Sequence, residues 1–243
     1  MGQKKIVSDS IVIIPTYNEK ENIERMIRTV FSLVHPFHLL IVDDGSPDGT
    51  ADIVKRLMAE FPDRLFIEER KGKLGLGTAY IHGFKWALQR NYEFIFEMDC
   101  DFSHNPSDLL RLREACLKGG DVAIGSRYTK GGRVENWPIA RILMSYFASV
   151  YVRIILWVPF KDTTAGFKCY RKSVLEKINF DNIKFVGYAF QIEMKYIAYK
   201  LGFKVVEVPI IFTDRVEGAS KMSGSIFKEA IWGVLKMRFM KIS

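Results

Sequence analysis

The sequence predicts one α/β domain, a mostly parallel sheet with helices on both faces, over residues 1–222, with an amphipathic C-terminal helix in 223–243. Two observations predict the sheet. Short runs of β-branched and aliphatic residues alternate with one-faced helical patterns, and each run ends in a polar cluster that leads into the next helix. Parallel strands need crossover helices, which cover both faces of the sheet.

The elements follow in order. Ile11-Val12-Ile13-Ile14 reads as a buried strand, and Ile23, Met26, Ile27, Val30, Phe31 and Val34 fall on one side of a helix. Leu39–Val42 predicts a second strand, and Ile53, Val54, Leu57 and Met58 a second helix after the turn residues Gly45–Gly49. Strands at Leu65–Ile67, Phe94–Phe96 and Val122–Ile124 alternate with helices near Thr78–Gln89 and Ser107–Lys118. Further on, Phe167–Tyr170 and Lys204–Phe212 read as strands flanking a helix from Tyr188 to Tyr199.

Two stretches are unusually apolar. Ile142–Val158 is broken only by Ser145, Ser149 and Arg153, which with Arg141 repeat every fourth residue and form one narrow stripe on a helix. Ser225–Lys241 has a similar stripe of Lys228, Glu229 and Lys236. Such helices either pack on the core or lie in a membrane interface, where Arg153, Lys228, Lys236, Arg238 and Lys241 would meet anionic headgroups. Arg153 interrupts the longest apolar run, so no spanning segment is expected.

The 36 basic against 28 acidic residues leave a charge of +8, which suits a phosphate or an acidic lipid surface. Nucleic acid is not expected, because no basic stripe, zinc-ligand spacing or aromatic RNA-binding signature accompanies the charge. Cys100, Cys116 and Cys169 fit neither a disulfide framework nor a metal cluster, and Met1–Ser10 lacks a signal-peptide apolar core. A cytoplasmic location follows.

Ligands of parallel sheets bind beyond the carboxyl ends of the strands, and four polar clusters stand there. They are Pro15–Glu19, Asp43–Ser46, Lys71–Gly77 and Asp99-Cys100-Asp101. Two carboxylates one residue apart form a hard oxygen site suited to Mg²⁺ or Mn²⁺ on a substrate phosphate. The same pair would also serve a turn and a helix cap. Glycines 72, 75 and 77 before a helix would let backbone amides and Lys73 approach phosphate oxygens, or would merely permit tight turns. The four histidines show no ligand spacing, so no chemistry is expected of them.

The order of motifs adds more than any one of them. Ile14–Glu19, Val42–Thr50, Lys73–Tyr80, Met98–Pro106 and Gly125-Ser126-Arg127-Tyr128 together resemble the inverting family 2 glycosyltransferases with a GT-A fold. With Trp137-Pro138, Asp162–Phe167, Gly187–Glu193, Val208–Arg215 and Ser220-Lys221-Met222, the set is similar to the dolichyl-phosphate (polyprenyl-phosphate) mannosyltransferases. The resemblance implies transfer of mannose from GDP-mannose to a polyprenyl phosphate, on the inner face of a membrane. Pro15, Tyr17, Glu19, Val42, Asp44 and Asp99 would hold the nucleoside, with Cys100 where the family often has alanine. Asp101 would ligate the metal with Asp99 or Ser103, Arg215 and Lys221 would meet the donor diphosphate, and Arg127 and Arg133 the acceptor phosphate. Related enzymes that act on hydroxyls carry a base carboxylate where this chain has Gln191, so no side-chain base is expected, Glu193 being the alternative. A glucosyl transfer from UDP-glucose and a silent nucleotide-sugar-binding module are the competing readings. No motif assigns a protein partner.

Overall fold

The strand β1 (Ser10–Thr16) shows how the sheet is built. Successive side chains of a strand point to opposite faces, and here both faces are apolar. Ile11 and Ile13 enter one core cluster and Val12 and Ile14 the other, all fully buried. Each such side chain contributes roughly 1.5–3 kcal/mol, so the strand suits only a sheet covered on both sides. In the computed structural model, which describes residues 7–187, 189–214 and 232–240, it lies near the middle of a seven-stranded sheet.

With β2 (His38–Asp43), β3 (Leu65–Glu69), β4 (Phe94–Glu97), β5 (Val122–Ser126), β7 (Lys168–Arg171) and β8 (Val205–Pro209), the order is β3-β2-β1-β4-β7-β5-β8. Every pairing is parallel except those of β7, which runs antiparallel to β4 and β5. The expected strand at 204–212 divides. Pro209 closes β8, and β9 (Ile211–Thr213) pairs with β6 (Arg133–Glu135) in a separate ribbon. A proline has no N–H for the ladder and suits the point where the chain leaves the sheet.

Helices α1 (Ile23–Phe31), α2 (Thr50–Glu60) and α4 (Asp108–Leu117) cover one face, and α3 (Leu76–Leu88) and α7 (Ala189–Lys200) the other. A short α6 (Lys172–Lys177) follows β7. Helix α3 lies so close to β1 that a Cβ on Gly83 would stand 2.6 Å from the Ile13 side chain.

Helix α5 (Ile139–Leu156) reverses the usual amphipathic arrangement. Its serine–arginine stripe faces the domain: Ser149 is buried, Ser145 is joined to the Tyr128 hydroxyl at 2.7 Å, and Arg141 is paired with Asp214 at 3.1 Å. Leu143, Met144, Tyr146, Phe147 and Ile154 face outward, with Phe147 60% and Ile154 63% exposed. At 18 residues with mean hydropathy 1.6, the helix is long and apolar enough to cross a membrane. The contacts of its polar stripe instead tie it along the domain. Residues 232–238 are also helical, with Trp232 and Phe239 exposed and Arg238 over the Trp157 ring at 4.3 Å. The rest of the expected 225–241 helix, including Lys228 and Lys241, and the expected boundary at 222 lie outside the described residues.

Candidate active site

The chain leaves β1 for β2 and β3 on one side, then returns to β4 on the other. Neighbouring connections therefore diverge at the carboxyl ends of β1, β2 and β4, the switch point where open sheets bind ligands. Pro15 pairs with Val42 across β1 and β2, and Thr16 with Asp43, so the first two clusters stand side by side. The Asp43 carboxylate accepts from Thr16 Oγ1 at 2.9 Å, from Ser46 N at 2.8 Å and from Ser46 Oγ at 2.6 Å. It builds the turn. The Asp44 carboxylate lies 2.6 Å from the Arg70 guanidinium, and Arg70 also donates to Thr78. The residue expected at the nucleoside is thus held by an arginine that the sequence did not single out.

Tyr17 and Lys73 come together, the ammonium 5.2 Å above the ring. The glycine loop departs from the expected phosphate cradle. The Gly77 amide donates to Val186 O at 2.8 Å, and a Cβ on Gly77 would strike Phe190 at 2.7 Å. Gly75 and Gly77 admit neighbouring segments of the protein itself. Glu19 accepts from Asn22 Nδ2 through its carboxylate and from the Asn22 and Ile23 amides through its carbonyl.

Beyond β4, the chain bends at Cys100 and Asp101, with Asp99 between the strand and the bend. Burial pushes the Cys100 thiol well above its usual range, and the charges of Glu19, Asp101 and Asp99 push it the same way. The Tyr80 hydroxyl stands 3.5 Å from Asp99, and Asp101, 6% exposed, accepts from Ser103 N at 3.1 Å and Oγ at 2.6 Å. Ser103, expected as a third ligand, acts here as a donor that fixes Asp101. Among the described residues no three His, Cys, Asp or Glu side chains cluster as a complete metal site. Two hard carboxylates, with a diphosphate and water completing the shell, still fit Mg²⁺ or Mn²⁺. The turn is pinned from the far side by Thr213 N donating to Ser103 O at 3.2 Å and by the bridge between His104 and Phe212. Burial lowers the His104 pKa to about 4, so its imidazole is neutral at pH 7.

Arg127, expected to reach the acceptor phosphate, has a buried guanidinium that grips the Asp162 carboxylate twice at 2.7 Å, with Thr164 Oγ1 also at 2.7 Å. Asp162 additionally accepts the Arg127 amide at 2.9 Å. Burial pushes the Asp162 carboxyl up, but the Arg127 charge and hydrogen bonds outweigh it and hold the pKa below the usual value. Arg133 is exposed on β6 and paired with Glu135 at 2.8 Å. Arg215 and Lys221 lie outside the described residues.

A second buried cluster went unread in the sequence. Glu97 and Lys168 face each other across β4 and β7, both fully buried, with an ion pair of 3.0 Å. Lys168 also donates to Gln191 Oε1. Lys195, equally enclosed, donates to Ala165 O at 2.6 Å, and its pKa is driven well down by burial and by the Lys168 charge. The available signal was Glu97 within a strand that is otherwise buried and aromatic, since a charge at such a position demands a partner. Glu193 is committed elsewhere, accepting the Lys184 amide at 3.1 Å and the Phe185 amide at 3.0 Å.

Comparison with known proteins identifies the family and the fold. The chain is 48% identical over 230 residues to the polyprenol monophosphomannose synthase of Mycolicibacterium smegmatis, covering 93% of this chain and 87% of that one. It is 44% identical over 226 residues to the undecaprenyl-phosphate mannosyltransferase of Micrococcus luteus, covering 93% and 92%. Glucosyl-3-phosphoglycerate synthase from Mycobacterium tuberculosis, solved with Mn²⁺, UDP and glucosyl-3-phosphoglycerate, superposes with a TM-score of 0.69 over 96% of this chain and 81% of that one. At 17% identity this shows the shared GT-A fold alone. The profile of Glycosyl transferase family 2 matches residues 11–179, and the chain belongs to that family of glycosyltransferases.

Proposed function

We propose that the protein transfers mannose from GDP-mannose to a polyprenyl phosphate with inversion, working as a peripheral enzyme on the cytoplasmic face of a membrane. One observation carries the reading. The carboxylates Asp99 and Asp101 follow β4 at the same edge of the sheet as the turn after β5, and that turn is joined through the Tyr128 hydroxyl to Ser145 of a helix whose apolar side faces outward. An enzyme with one polyanionic, water-soluble substrate and one lipid substrate needs both surfaces next to each other. The similarity to enzymes named for polyprenol and undecaprenyl phosphate supplies the acceptor class.

In this reading Pro15, Tyr17, Glu19 and Val42 border the nucleoside, and Lys73 reaches the phosphates from above Tyr17. Asp99 and Asp101 would hold the divalent ion, which when bound neutralises charge on the departing diphosphate. Arg215 and Lys221 are assigned to the same diphosphate from their motif positions. Arg127 is assigned a positioning role: its pair with Asp162 fixes the turn that carries Tyr128 towards α5. The test is incubation with labelled GDP-mannose or UDP-glucose and a polyprenyl phosphate. Mannosyl lipid formed from GDP-mannose supports the proposal, and glucosyl lipid formed from UDP-glucose alone would replace it.

A further inference from the structure

We infer that Gln191 is a hydrogen-bond donor to a phosphate oxygen of the lipid acceptor, held in that orientation by Lys168 and Glu97. The inference rests on the acceptor class proposed above and assigns a residue to it.

The orientation follows from donor and acceptor chemistry. A lysine ammonium only donates, so the end of the Gln191 amide against Lys168 must be its oxygen. Lys168 cannot turn away, because it is fully buried and paired with Glu97 at 3.0 Å on the neighbouring strand. The amide nitrogen is therefore turned to the opposite side, and it has no hydrogen-bond partner among the described residues.

That side opens at Gly166. From Asp162 to Tyr170 every residue is buried except Gly166, which is partly exposed. A Cβ built there would meet Gln191 Nε2 at 3.6 Å and Cδ at 3.9 Å, and no other described atom within 4 Å. Gly166 lies at the carboxyl edge of the sheet. Its neighbour Phe167 accepts from the Gly125 amide of β5 at 2.9 Å, and Lys168 pairs with Glu97, two residues before Asp99. Gly166 thus stands just before β7, where the Asp99–Asp101 segment after β4 and the Ser126–Arg127 turn after β5 flank it. This is the side from which a phosphate would attack the sugar of a diphosphate held on the first segment. An amide donor there binds an oxyanion and cannot take a proton from a hydroxyl, which selects a phosphate acceptor over a free alcohol.

The experiment measures transfer by the full chain at saturating GDP-mannose and Mg²⁺ with farnesyl phosphate varied. Gln191→Ala is expected to raise the acceptor KM roughly tenfold, as for a lost hydrogen bond to a charged group, while thermal protection by GDP is unchanged. Gly166→Ala keeps every native side chain and meets only ordinary contacts, so it folds. Its methyl covers the nitrogen and should raise the acceptor KM in the same way. Gln191→Glu retains an oxygen for Lys168 but presents an anion, and should cost more than Gln191→Ala, with a deficit that eases as the pH is lowered. In Lys168→Met/Glu97→Gln, which leaves no stranded charge, adding Gln191→Ala should have little further effect. Acceptor KM values within about twofold of native in both Gln191→Ala and Gly166→Ala overturn the inference, as does an equal loss of GDP binding. Additive losses in the triple variant remove the positioning role of Lys168. A native protein that transfers nothing to farnesyl or undecaprenyl phosphate refutes the acceptor class itself, and this assignment with it.

Discussion

Replacing Arg127 by methionine separates a buried structural pair from a substrate contact. Asp162 is fully buried and Arg127 nearly so, and the carboxylate takes two guanidinium contacts of 2.7 Å. Removing one partner of a buried pair strands the other charge and costs about 3–5 kcal/mol. For a domain of this size, each kcal/mol lowers Tm by about 2–4 °C, so Arg127→Met should melt about 6–20 °C lower. The Asp162 pKa is depressed in the native fold. Its stabilisation is therefore complete above the unfolded carboxylate pKa of about 3.9 and is lost as pH falls through the lower folded value. Without the Arg127 guanidinium, burial is opposed only by the Lys195 charge and the backbone amide of residue 127, the folded pKa rises, and the variant's deficit should shrink as pH drops from 7 towards 5. Asp162→Asn in the Arg127→Met background keeps an acceptor for the Arg127 amide and removes the stranded charge, so it should restore most of the loss. Urea unfolding at both pH values, followed by circular dichroism, reads all of this. A loss below about 1 kcal/mol in Arg127→Met, or no recovery in the double variant, refutes the structural pair and returns Arg127 to the acceptor phosphate.

Four further outcomes are expected. Asp101→Asn should lose about 10²-fold or more in kcat, and chelation should abolish activity of the native protein, as rate assays with Mg²⁺ or Mn²⁺ restored will check. GDP should raise the melting temperature more than UDP at equal concentration, since selective binding to the native state stabilises it. Phe147→Asp with Ile154→Asp, or deletion of residues 225–243, should reduce sedimentation with anionic liposomes while GDP protection persists. Glu193→Gln should retain turnover within several-fold of native, because its carboxylate serves the Lys184 and Phe185 amides; loss of turnover in a folded variant would make it the base.

The sheet was legible because β1 and β2 are short apolar runs, buried but for Pro15, that alternate with one-faced helical patterns as a two-sided parallel sheet requires. The Asp99–Asp101 pair was legible because its carboxylates stand only one residue apart in sequence. What escaped was whatever depended on distant partners. Arg70 meets Asp44 across 26 residues and Arg127 meets Asp162 across 35, and nothing local marks either arginine as buried. The direction of α5 was equally hidden. A narrow polar stripe reads the same whether it faces water or protein, and the Tyr128 and Asp214 contacts and the burial of Ser149 show that it faces inward.

The proposal of base-free transfer draws on how three groups among the described residues are already engaged. Gln191 is an amide bound to Lys168, Glu193 is spent on two backbone amides, and His104 is a neutral ring enclosed between Phe167 and Phe212. A sugar hydroxyl as acceptor would be left with its proton. A phosphate monoester brings its own nucleophile, because its second pKa is about 6 and it carries most of its second charge at pH 7. The work left to the protein is placement: donors rather than acceptors where the phosphate arrives, and an apolar surface for the chain behind it. Gln191 Nε2 beside Gly166 and the outward side of α5 are what such an acceptor requires. Both would be wrong for an alcohol dissolved in water. If free polyprenol were glycosylated as fast as its phosphate, the proton would need a receiver, and base-free transfer would have to be abandoned.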